Sequence, residues 1–109
     1  MKLTAIKSDN FVAIDGEGYD GIDLSALNNE QMFGSSVRAI QWYDTFGDVE
    51  FANAQGQSTG NVRIESLDHF SWIVDAHAAR KTQVAAEKAA AVAQAQAEAG
   101  ASQGTTESA

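Results

Sequence analysis

Along the first two thirds of the chain, short apolar stretches alternate with polar, glycine-bearing ones. Lys2-Leu3-Thr4-Ala5-Ile6-Lys7 reads as a strand, and the turn formers Ser8-Asp9-Asn10 follow it. Phe11-Val12-Ala13-Ile14-Asp15 returns close enough to pair with it as a hairpin. Gly16 to Gly21 holds three glycines and reads as a loop, Ile22-Asp23-Leu24 as a short edge strand, and Ser25 onward as one helical turn. Asn28 to Ser36 is a polar connection. The strongest strand signal is Val37-Arg38-Ala39-Ile40-Gln41-Trp42-Tyr43, whose β-branched and aromatic side chains suit a pleated, half-buried surface. Asp44 to Asp48 is of hairpin length, with Gly47 placed for a positive φ, and Val49-Glu50-Phe51-Ala52 is the returning partner. Residues 53–61 form a polar loop before a short strand at Val62-Arg63-Ile64.

The pattern changes at Ser66, which is placed as an N-cap with Asp68 in the first turn, where a negative charge complements the helix dipole. Leu67, Phe70, Ile73, Val74, His77 and Ala78 recur at spacings of three and four, one apolar face of an amphipathic helix. No proline occurs, and no glycine interrupts before Gly100, so the helix is expected to run from 67 to 99, roughly 50 Å long. Residues 76–99 are mostly alanine with Gln, Lys and Glu. Val84 and Val92 are their only larger apolar groups, and Lys81 and Lys88 interrupt any heptad seam. The expected class is therefore α+β: a small antiparallel sheet of about four or five short strands over 1–66, then a long C-terminal helix. The first half of that helix packs on the sheet, its alanine-rich second half projects, and 100–109 form a disordered tail.

Length and charge narrow the functions. The 109 residues make one domain and contain no apolar run long enough for a membrane span. The first nine residues lack the apolar core of a secretory signal. Seven basic against fifteen acidic side chains leave a formal charge of -8, the wrong sign for nucleic acid or for an anionic membrane, and neither is expected as a partner. Cysteine is absent, which removes disulfides, thiolate metal sites and thiol nucleophiles.

Three motif matches fail on chemistry. Gly16-Glu17-Gly18-Tyr19-Asp20-Gly21 satisfies G-x-G-x-x-G, but Asp15, Glu17, Asp20 and Asp23 would repel a phosphate, so it reads as a glycine turn at a sheet edge. Counted as an EF-hand loop from Asp15, the same stretch puts Tyr19, Asp20 and Ala26 where an oxygen ligand, a glycine and a glutamate belong. Gly56-Gln57-Ser58-Thr59-Gly60 matches G-x-S-x-G, but it leads into a short strand rather than out of one into a helix. His69 and His77, eight apart on one helix, are too distant to share a metal. No catalytic, cofactor or metal residue is assigned, and the chain is expected not to be an enzyme. Trp42 and Trp72 suit core anchors. The candidate partner-binding residues are Trp42, Tyr43 and Phe46, an aromatic group that would act as a hot spot if exposed, together with Val84 and Val92 on the helix.

Phe11-Val12-Ala13-Ile14-Asp15-Gly16, Ile22-Asp23-Leu24-Ser25, Val37 to Tyr43 with Gly47-Asp48-Val49-Glu50-Phe51, and Ser66-Leu67-Asp68-His69-Phe70 carry a resemblance. Over residues 11–81 the chain resembles small proteins encoded among the tail genes of tailed bacteriophages. The Ala39-Ile40-Gln41-Trp42-Tyr43 strand and the Val49-Glu50-Phe51 return are the most specific part, and they are packing residues rather than chemical ones. The resemblance implies a non-enzymatic virion component, made in the bacterial host cytoplasm and attached to tail fibres or the tail tube. It would bind other phage structural proteins, with self-association through the C-terminal helix. A transient assembly chaperone and a capsid decoration protein are the alternatives.

Overall fold

The structure, a computed structural model, describes residues 1–98. Seven antiparallel strands are followed by one long helix: β1 (Lys2–Ile6), β2 (Phe11–Ile14), β3 (Glu17–Tyr19), β4 (Gln31–Met32), β5 (Ser35–Tyr43), β6 (Gly47–Ala52), β7 (Ser58–Ile64) and α1, which begins at Ser71 and is described as far as Glu98. The tail expected over 100–109 lies outside the described residues. The sheet runs β3-β2-β1-β5-β6-β7, with β4 pairing on β5.

Alternation decides the faces. Leu3, Ala5, Val12, Ile40, Trp42, Val49 and Phe51 point to one side and are buried. Their neighbours Thr4, Gln41, Asp48 and Arg63 stand in register across four strands on the other side, where Thr4 Oγ1 lies 2.8 Å from Gln41 Oε1. One face of the sheet is thus a core and the other a polar, solvent-facing surface, as antiparallel sheets permit. Val37 and Ile40 are an odd number of residues apart, yet both are fully buried. A bulge at Arg38 reconciles them: the register shifts between Val37 and Ala39, one residue is left over, and both side chains reach the core.

Leu24, Leu27, Leu67, Phe70 and Ile73 close the core from above. Ser66 Oγ accepts from the Asp68 amide at 3.1 Å, a 3-10 turn covers Asp68–Phe70, and α1 begins at Ser71. The helix base lies over β2 and β3.

The structure adds strands to the expected four or five and relocates others. The glycine segment is not a bare loop, because Glu17–Tyr19 pairs with β2 as an edge strand. Ile22-Asp23-Leu24 is not a strand, because Asn10 holds its backbone: the Ile22 amide donates to Asn10 O at 3.0 Å and the Leu24 amide to Asn10 Oδ1 at 3.4 Å. Ile22 and Leu24 enter the core from that tether. The polar connection before Val37 contains β4 and a two-residue turn, Phe33-Gly34, with positive φ at both positions (57° and 68°). The loop expected over 53–61 shortens, since pairing with β6 begins at Ser58. Positive φ in the β5–β6 turn belongs to Asp44 (89°), not to Gly47. Gly47 is needed for closeness: a Cβ there would lie 2.9 Å from the Trp42 ring and press on the Gln41 carbonyl oxygen.

Candidate interaction surfaces

Residues 71–84 and 85–98 of α1 stand in different environments. Toward the base, Ile73 is fully buried and His77 is 6% exposed. The His77 Nε2 lies 2.8 Å from the Glu17 carbonyl oxygen, so that nitrogen carries the proton, and the ring meets Tyr19 edge-on at 5.2 Å. One turn on, Arg80 Nε donates to Asp20 O at 2.9 Å, and Lys81 Nζ pairs with Glu17 Oε1 at 2.9 Å. Glu17 also accepts from the Tyr19 hydroxyl at 3.1 Å. Lys81 first, and then Tyr19, hold the Glu17 carboxyl below its usual range, while Glu17 raises the Lys81 ammonium. Desolvation first, then the bond to Glu17, raises the Tyr19 hydroxyl. Consecutive side chains on one helix face therefore clamp α1 to edge strand β3.

Beyond the clamp, Val84 is half-buried and every residue from Ala85 to Glu98 is exposed. Val92, 51% exposed, contacts no core. The two valines proposed as partner residues differ accordingly: Val84 ends the docked base and Val92 lies on the free rod. The rod forms because the clamped base supplies the helical nucleus, the costly step, and alanine-rich sequence propagates readily from it.

The three aromatics do not form one patch. Trp42 is 7% exposed and lies on the core face between Leu3 and Gly47, so it is a core anchor. Tyr43, next in sequence, points to the opposite face and is 44% exposed. It stacks at a tilt on Phe46, 5.2 Å between ring centres, as the Tyr43 amide donates to Phe46 O at 2.7 Å to close the turn. Arg63 from β7 completes this cluster, its guanidinium carbon 4.4 Å from the centre of the Phe46 ring. Arg63 was not legible as a member, because only the β6–β7 register brings residue 63 beside the turn.

Two grooves flank the sheet. An apolar one of about 230 Å³ lies against Val49, Phe51, Val62, Ile64 and Phe70, with Met32 at its rim. Met32 and its neighbour Phe33 are 47% and 53% exposed, and the Phe33 ring leans edge-on against Phe51 at 5.8 Å. A larger polar groove, about 680 Å³, opens where β1 ends, β5 begins and β6 ends. The motif residues acquire no shared chemistry. Ser58 opens β7, and His69 pairs with Glu30 at 2.7 Å, away from His77. Among the described residues, no three or more His, Asp or Glu converge as a metal-binding group, and no helix is long and apolar enough to cross a membrane. No protein-family model, no curated protein and no solved structure matches this chain.

Proposed function

We propose that the chain is a non-enzymatic structural protein of a tailed bacteriophage, located in the virion near the tail or tail fibre, where it binds other virion proteins. The observation that carries the reading is the division of α1. Its base is built into the sheet domain, while among the described residues every one from Ala85 to Glu98 is exposed. Alanine side chains let another helix approach closely, so the rod is suited to pack against a helical segment of a neighbour. The Tyr43–Phe46–Arg63 cluster adds a second contact, since Tyr and Arg are enriched at interface hot spots. The resemblance of residues 11–81 to tail-region proteins supplies the biological setting.

Mass spectrometry of purified particles of the encoding phage tests this. A structural protein is recovered at a fixed ratio to the tail proteins and survives salt washing of the particles. Its absence from particles, with recovery only from assembly intermediates, would overturn the structural reading in favour of a transient chaperone.

A further inference from the structure

The polar groove combines two cations with neutral hydrogen-bonding groups in an otherwise acidic protein. Its lining contains Lys7, Asn28, Gln31, Ser36, Arg38 and Asn53, and no acidic residue contributes to it. The formal charge of the whole chain is -8, so a concave surface of this size without a carboxylate runs against the composition.

Lys7 is half-buried and held in place. Its ammonium donates to Asn28 Oδ1 at 2.7 Å and to Ser36 Oγ at 2.9 Å, both neutral oxygens, which leaves a further N–H and the whole charge uncommitted. Among the described residues it takes part in no ion pair. Arg38, the bulged residue of β5, is exposed and also lines the groove. Its one ionic contact, to Glu50 at 3.4 Å, is long and leaves most of its donors free. Asn53 is fixed by its own turn, accepting from the Gln55 and Gln57 amides at 3.0 Å each.

We infer that this groove binds a small oxyanion, a carboxylate or phosphate group carried on a polar, hydroxylated ligand. Lys7 and Arg38 take the charge, and the Asn28, Gln31 and Ser36 side chains meet the neighbouring hydroxyls. Lys7 is anchored before the ligand arrives, so binding costs little side-chain ordering there. The volume falls within the range of small-molecule sites. The inference goes beyond the virion reading and does not depend on it.

The test is a titration of the 15N-labelled full chain with sodium phosphate, sodium glucuronate and glucose, following backbone amides. Saturable shifts at Ser36, Arg38 and Asn53 are expected with an anion at about millimolar affinity, and none with glucose. Tighter binding of glucuronate identifies a hydroxylated carboxylate as the ligand class, and tighter binding of phosphate a phosphate ester. Lys7→Met and Arg38→Gln should each weaken binding by about tenfold or more, the loss expected for a charge-assisted hydrogen bond. Arg38 is exposed, so its variant reports on the site even if the Lys7 variant disturbs the Asn28 and Ser36 contacts. The absence of saturable shifts with either anion, or binding unchanged in both variants, would overturn the assignment.

Discussion

Two β-branched residues on the same helix should respond in opposite ways to truncation. Ile73 is fully buried in the core, and Val92 is 51% exposed on the rod. Ile73→Ala removes three carbons from a closed site. At about 0.8 kcal/mol for each, transfer alone comes to roughly 2.4 kcal/mol, and the cavity left behind brings the total to about 3–4 kcal/mol. Val92→Ala removes carbons that are largely hydrated already. It replaces a poorer helix former with the best one, so the expected change runs from zero to about 0.5 kcal/mol in favour of the variant. Urea titration of the isolated chain, followed by the fluorescence of Trp42 and Trp72, reads both. The midpoint should fall by roughly 1–4 M for Ile73→Ala and stay in place for Val92→Ala. A loss above about 1 kcal/mol for Val92→Ala would mean the rod is buried against its own domain, and the division of the helix would be refuted. A loss below that size for Ile73→Ala would refute the docking of the base.

The clamp between α1 and β3 should carry a pH signature. The Glu17 carboxyl lies below its ordinary 4.5, so its contribution is complete above that value and disappears as pH falls through the depressed one. The Lys81 ammonium lies above its ordinary 10.5, so its contribution is complete below that value and disappears as pH rises past the raised one. The stability difference between the native chain and Lys81→Gln should therefore be largest between these limits and close to nothing in strong acid, as urea midpoints across pH would report. At the β5–β6 turn, Gly47→Ala forces a methyl into the Trp42 ring and the Gln41 carbonyl. A loss of about 1–3 kcal/mol is expected, visible as a lowered thermal midpoint, and an unchanged midpoint would mean the two strands can separate freely there.

What the chain's pattern makes legible follows from local rules. The hairpin of β1 and β2, the β5–β6 pair and the amphipathic face from Leu67 to His77 all show their burial period directly. The α+β class follows from them. Less was legible where a distant partner decides the conformation. Glu17-Gly18-Tyr19 has little strand propensity of its own, yet β2 pairs with it and α1 clamps it from above. Ile22 and Leu24 alternate as a strand would, but Asn10 takes up their amides. The break in parity between Val37 and Ile40 is the visible trace of the bulge, which falls at Arg38 beside the polar groove. For the candidate surfaces, Tyr43 and Phe46 stand out by composition, whereas Arg63 and Lys7 join their clusters only through strand register and chain ends.

Hydrogen exchange of the isolated chain at low concentration, read by mass spectrometry, bears most directly on the central claim that one helix has a base folded into the domain and an exposed rod beyond it. Amides from Ile73 to Lys81 should exchange only with global unfolding, while those from Ala86 to Glu98 should exchange with the small protection of an exposed helix. Equal, strong protection along the whole of that span in the monomer would contradict the account.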